Sequence, residues 1–359
     1  MGPPKVSGGK PGREKAKSGA GAVLRAPSSG RGQAGQSGSP LALSHVQHSW
    51  FKALLARVTG GPPVPTAIAH PCDAASLQAA VEAATAGVIV PILVGPEVRI
   101  KAQAKAAGLD ITAFRIESTA HSHASAARAV ALVHSGAAKL LMKGALHTDE
   151  LLHEVMQADT GLRTGRRLSH VYVIDLPNYP RPLLLTDAAI NISPTLEEKC
   201  SIVQNAINLA HVLGIAAPRV AILAAVEVIN PAMRSTLDAA ALCKMADRGQ
   251  IVGGILDGPL AFDNAISAEA AHEKGIVSPV AGFADILLVP DVEAGNMLAK
   301  QMTFLGGADA AGIVLGAQVP IILTSRADTA RTRLASCAVA VILARQAPQT
   351  SSDDTGLAG

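Results

Sequence analysis

The segment Thr324-Ser325-Arg326-Ala327-Asp328 places a hydroxyl, a guanidinium and a carboxylate within five residues, just ahead of an Ala-rich stretch with helical spacing. A Ser and an Arg at a helix start surround one point with an O–H, a planar cation and free backbone N–H groups, an arrangement suited to phosphate. The simpler alternative is that Asp328 only caps the helix and Arg326 pairs with a surface acid. Three more polar clusters come after short apolar runs. Lys139–Met142 runs into Lys143, His147 and Thr148; Leu183–Leu185 runs into Asp187 and Asn191; Gln250–Leu256 runs into Asp257, Asp263 and Asn264. Open α/β sheets bind ligands at the carboxyl ends of their strands, so four such clusters point to a binding cleft.

Other chemistries lack their residues. No G-x-G-x-x-G follows a candidate strand, and there is no G-x-x-x-x-G-K-[ST], G-x-S-x-G or H-E-x-x-H. The pairs His121/His123 and His147/His153 have no thiolate or carboxylate cluster at ligand spacing, so no metal is expected. Four cysteines (Cys72, Cys200, Cys243, Cys337) lie far apart with no C-x-x-C pair, which argues against a disulfide framework and for a reducing, cytoplasmic setting.

The elements that must position these clusters alternate. Near-continuous apolar runs at Gly87–Val94, Val171–Leu176, Arg219–Ala224, Asp285–Val289, Ala311–Leu315 and Pro320–Thr324 read as buried strands. Between them lie stretches at helical spacing, Ala74–Ala86, Glu97–Ala107, Ser122–His134, Thr195–Leu213, Thr236–Ala246, Ala294–Leu305 and Thr329–Ala344. Thr195 with Glu198 forms a capping box, and Gly214 supplies a stop. The pattern is that of an α/β protein with mostly parallel sheets covered by helices. Its 359 residues suggest two domains.

Charge is uneven. Residues 1–40 hold seven of the 31 basic residues and one of the 28 acids, with 10 Gly, 6 Ser and 5 Pro, so residues 1–43 are expected to be a disordered basic tail and 348–359 a second polar tail. The remainder is mildly acidic, and aromatics are only 2% of the chain, so no nucleic-acid footprint is expected. No apolar run reaches the length of a membrane span.

Taken in order, these clusters resemble the phosphate acetyl/butyryl transferases over about residues 45–347. The resemblance is carried by Leu141-Met-Lys-Gly144 with His147-Thr148; Thr160-Gly-Leu-Arg-Thr-Gly165 followed by Leu168-Ser-His170; Thr186-Asp-Ala-Ala-Ile-Asn191 with Pro194-Thr195; the run Gly253–Ser267; Ala284–Asp291 with Gly295-Asn296; and Ile321–Asp328. It implies a two-domain fold similar to the isocitrate and isopropylmalate dehydrogenases, with domain one at 44–155 plus 318–347, domain two at 156–317, a cleft between them and a homodimer. The implied reaction is reversible acetyl transfer between CoA and inorganic phosphate, with both as substrates and no cofactor; butyryl or propionyl transfer is the nearest alternative, followed by a dehydrogenase on the same fold or a catalytically silent CoA-binding regulator. It further implies that Ser325 and Arg326 hold the reacting carbonyl and phosphate, and that Lys143, His147, Thr148, Arg163, Asp187, Asn191, Asp257, Asp263, Asn264 and Asn296 line the cleft. Acetyl-specific members place an Asp, the presumed base, six residues after that Arg. Here the position is Thr332, so Asp328 becomes the candidate base, as in butyryl-type sequences reading Ser-Arg-Ala-Asp.

Overall fold

The computed structural model describes Gly2 and residues 49–177, 179–324 and 328–346. Almost all of both expected tails lies outside the described residues, as do Ser325 and Arg326. In chain order, helix α1 is Ser49–Val58, strand β1 Val64–Ala69, α2 Ala74–Thr85, β2 Ile89–Gly95, α3 Glu97–Ala106, β3 Arg115–Ser118, α4 Ser122–His134, β4 Leu140–Lys143 and α5 Thr148–Val155. Next come β5 Ser169–Asp175, β6 Leu183–Thr186, α6 Leu196–Leu213, β7 Arg219–Leu223, α7 Arg234–Asp247, β8 Ile255–Leu260, α8 Phe262–Ile266 and α9 Ala268–Glu273. The chain continues through β9 Ile286–Leu288, α10 Val292–Phe304, β10 Asp309–Leu315, β11 Ile321–Ile322 and α11 Ala330–Gln346.

All these strands join one sheet in the order β3-β2-β1-β4-β11-β10-β5-β6-β9-β7-β8. Strands β3, β2, β1, β4 and β11 run parallel, as do β6, β9, β7 and β8, and both faces are covered, so β4, β6 and β9 are buried almost throughout. Between the two sets, β10 pairs antiparallel with β11 and with β5, and β5 pairs antiparallel with β6. Three antiparallel ladders in succession reverse the sense of the sheet. The carboxyl ends of β4 and β11 therefore leave by one rim, and those of β6 and β8 by the opposite rim.

The Lys143 cluster and the segment after β11 therefore leave the sheet by one rim, and the Asp187 and Asp263 clusters by the other. The strand expected at Gln250–Leu256 moves to Ile255–Leu260, so Asp257 lies within it. Gly253, at φ 83°, and Gly254 make the turn; a side chain at either would collide with His211 or Ile207 of α6. Pro259 is tolerated because β8 is an edge strand, where its missing N–H breaks no ladder.

The capping box at Thr195 and Glu198 is formed, and Gly214 ends α6 in the left-handed region at φ 101°. The last helix, α11, is buried along most of its length and packs on β10, α1, α2 and α6. Its Ser336 hydroxyl accepts the Gly312 N–H of β10 at 3.0 Å and donates to Thr332 O at 3.0 Å. The start of α11, and with it Asp328, is thus pinned to the centre of the sheet. Among the described residues, no helix is long and apolar enough to cross a membrane.

Candidate functional site

Strand β11 is two residues long, and its register fixes where the chain goes next. Ile322 pairs with Met142 of β4 on one side and Ile313 of β10 on the other, so Leu323 emerges between Lys143 and Gly312. A Cβ on Gly312 would lie 2.7 Å from Leu323 O and 3.0 Å from His170 Nε2. Only a residue without a side chain lets the chain cross there. Beyond it, Thr329 Oγ1 accepts the Thr332 N–H at 3.1 Å, so Thr329 rather than Asp328 caps α11. Asp328 O accepts from Arg333 Nη1 at 2.6 Å, and Asp328 lines a cavity of about 430 Å³ with Tyr172, Asn296, Thr329 and Thr332.

Tyr172 and His170 project from one face of β5, the tyrosine ring edge-on to the imidazole with centroids 4.3 Å apart. Burial first, then the carboxylates of Asp328 and Asp187, push the Tyr172 phenol up to about 12, so it stays protonated as a hydrogen-bond donor. His170 is 1% exposed, and burial drives its pKa down to about 4 against the opposing pull of Asp187. It is a neutral imidazole at physiological pH, and its Nδ1 lacks a hydrogen-bond partner among the described residues.

Asp187 organises the loop after β6. One carboxylate oxygen accepts the N–H groups of Ala189 and Ile190 at 2.9 and 3.0 Å; the other accepts His170 N–H at 3.1 Å and Asn191 Nδ2 at 2.6 Å. Asn191 also accepts from Arg167 Nε at 2.8 Å, and Arg167 pairs with Glu198 at 2.8 Å. Asn296 Nδ2 donates to Ala188 O at 3.3 Å, and a Cβ on neighbouring Gly295 would lie 2.9 Å from Asp187 O, so α10 is held close against this loop. Asp328, Asp187, Asn191 and Asn296 therefore belong to one neighbourhood around Tyr172 and His170.

The remaining candidates are more spread. Lys143 sits beside Leu323, with Nζ 3.1 Å from Gly144 O. His147 occupies the N-cap position of α5 without a side-chain cap bond, and Thr148 begins that helix. Arg163 lines a second cavity of about 700 Å³ with Arg166, Arg167, Asn191 and Glu198, at the amino end of β5. Asp257, Asp263 and Asn264 lie on and after the edge strand β8, three strands from β6. There Asn264 donates to Glu227, and Lys274 lies 2.7 Å from Glu227 and 3.6 Å from Asp263, so this cluster pairs within itself. Ser325 and Arg326, the centre of the expected site, lie outside the described residues.

The model of the phosphate acetyl/butaryl transferase family matches residues 120–341. A phosphate acetyltransferase of Rhizobium meliloti is 59% identical over 309 residues, 86% of this chain and 98% of that protein. The chain belongs to the phosphate acetyl/butyryl transferase family. A phosphate butyryltransferase of Clostridium beijerinckii is 44% identical over 82% of this chain and 97% of that protein. A crystal structure of a branched-chain phosphotransacylase from Enterococcus faecalis V583 superposes with a TM-score of 0.70 at 32% identity, covering 79% of this chain and 99% of that one.

For this member of the transferase family, sequence reasoning missed Tyr172, which shares the cavity with Asp328. An isolated Tyr in an apolar strand gives no signal of what its ring will face. Beside the Lys143 loop, His70 follows β1 at φ 55°, is 5% exposed and lies 3.0 Å through Nδ1 from Ser125 Oγ. Burial, then Arg99, lowers the pKa of His70. Gly144 passes so close that a Cβ there would lie 2.5 Å from Ala69 O.

Proposed function

We propose that this protein is a phosphate acetyltransferase, catalysing acetyl-CoA plus phosphate to acetyl phosphate plus CoA, reversibly. The observation that carries this reading is the 59% identity across 98% of a phosphate acetyltransferase. The Asp328 cavity at the start of α11 supports it, because it adjoins the Ser325–Arg326 pair in sequence.

In the direction of acyl-phosphate consumption, the CoA thiol gives up its proton, the thiolate attacks the acetyl carbonyl carbon, the new C–S bond forms and the C–O bond to phosphate breaks. Phosphate leaves with the bonding pair. A free thiol has a pKa of about 8.5, so a nearby acceptor for its proton speeds the attack. We assign that role to Asp328, phosphate charge neutralisation to Arg326, and hydrogen bonding at the reacting carbonyl or phosphate to Ser325. Direct transfer needs neither a covalent acyl-enzyme nor a cofactor. We further propose two domains meeting at the central antiparallel strands, a homodimeric assembly and a cytoplasmic location; the free state of all four cysteines supports the last.

The test is phosphate-dependent release of thiol from acetyl-CoA. Turnover that Arg326→Ala lowers by orders of magnitude is expected. Absence of phosphate-dependent release from the folded protein overturns the reading.

A further inference from the structure

The cavity beside Asp328 is larger than an acetyl group requires. It holds about 430 Å³, and an acetyl group of three non-hydrogen atoms fills roughly a fifth of that at about 30 Å³ per water-sized group. One wall is the start of α11, with Asp328, Thr329 and Thr332; another is α10 and the entry to β10, with Ala299, Thr303 and Ala310. Ala299 and Ala310 are buried and small, so missing side-chain bulk contributes to this space, which the exposed Lys300 and Phe304 also border. Tyr172 is held by its contact with His170 over the bare backbone of Gly312, and so forms a fixed boundary.

We propose that this cavity receives the acyl chain of the acyl-CoA, with the α10 residues Ala299 and Thr303 setting how long a chain it takes. The inference rests on the acyl-transfer reading. A thioester carbonyl placed at Asp328 would direct its chain along α10, where Ala299, the methyl of Thr303 and Phe304 favour added methylenes by a few-fold each, with Asn296 and Lys300 beside them. Room past two carbons makes propionyl- and butyryl-CoA substrates as well as acetyl-CoA. Leucine at position 299 or 303 takes up the space those extra methylenes would occupy.

The experiment compares kcat/KM for acetyl-, propionyl- and butyryl-CoA in the full chain and in Ala299→Leu and Thr303→Leu, with circular dichroism and Tm confirming folding. Thr303 is half-buried and its hydroxyl bonds only to backbone of its own helix, so that variant keeps the test usable should Ala299→Leu fail to fold. The wild-type value for butyryl-CoA is expected within tenfold of that for acetyl-CoA. Each folded variant is expected to lower the butyryl-to-acetyl ratio of kcat/KM at least threefold. Folded variants whose butyryl-to-acetyl ratio stays within twofold of wild type overturn the inference, as does a wild type that turns over acetyl-CoA alone. No turnover of any acyl-CoA by the folded wild type instead overturns the acyl-transfer reading beneath it.

Discussion

Asn191 donates to Asp187 at 2.6 Å while its own carbonyl oxygen accepts from Arg167, so a buried carboxylate is linked through one amide to a surface guanidinium. Among the described residues Asp187 accepts four hydrogen bonds, three from backbone N–H groups and one from Asn191. It is therefore the keystone of the loop between β6 and α6. Asp187→Ala leaves those donors unpaired, at about 1–3 kcal/mol each for the two that are buried, His170 N–H and Asn191, and less for the half-buried Ala189 and Ile190. A loss of at least about 3 kcal/mol in urea unfolding is expected, with Asp187→Asn losing less.

Gly312→Ala tests the crossing of Leu323. The added methyl would lie 2.7 Å from a backbone oxygen, which cannot swing aside as a side-chain tip can. Overpacking of this kind costs about 1–3 kcal/mol. Because the displaced segment leads into Ser325–Asp328, a fall in kcat/KM of about tenfold or more is expected alongside the lower unfolding midpoint.

Stability should depend on His170 in mildly acid solution. Its folded pKa of about 4 lies below the ordinary 6.5, so the unfolded chain binds the extra proton first as pH falls. Its contribution is fully present above pH 6.5 and is lost progressively down to about pH 4, to a total on the order of 3 kcal/mol. Urea unfolding across pH 4–7 should show this slope in wild type and a flatter one in His170→Gln.

Lys199 and Asp238 form an ion pair at 2.7 Å between α6 and α7, with both side chains less than a tenth exposed. Removing one partner of a buried pair typically costs about 3–5 kcal/mol, while replacing both with apolar groups can be nearly neutral. Arg234, 3.6 Å from Asp238, partly compensates when Lys199 is lost. Lys199→Met should therefore fall at or below the low end of that range, and Lys199→Met with Asp238→Leu should recover stability in the same unfolding assay.

Burial pushes the thiols of Cys243 and Cys337 up to about 12, and Cys337 is fully enclosed in α11. Cys337 should react with a thiol reagent only after denaturation, and the half-buried Cys243 slowly before it. Cys337→Ala should leave kcat within about twofold of wild type, as expected of a reaction that forms no acyl-enzyme.

Strand and helix identity was legible where apolar runs were long and glycines marked their ends, as at α6 between its capping box and Gly214. The strand β1 was not, because Pro65 inside Val64–Ala69 reads as a breaker although the strand pairs on both sides. The apolar run of β5 resembles that of a parallel strand, and only its partners make it antiparallel. Of the candidate site, Asp187, Asn191, Asn296 and Asp328 meet around β5, since each follows or borders a strand near the centre of the sheet. Asp257 falls on the far strand β8 and Asp263 in the helix just after it, because spacing along a chain carries no information about strand order. Tyr172 became visible only once Gly312 placed a bare backbone opposite it.

The position of β11 between β4 and β10 has a consequence for synthesis. On the ribosome, strands β1 to β4 emerge first, yet their neighbour β11 and the covering α11 are made only after everything from β5 to β10. The earliest-made strands must wait with one flank open while more than 170 residues are added. Chaperone engagement with the nascent chain should be concentrated in that interval.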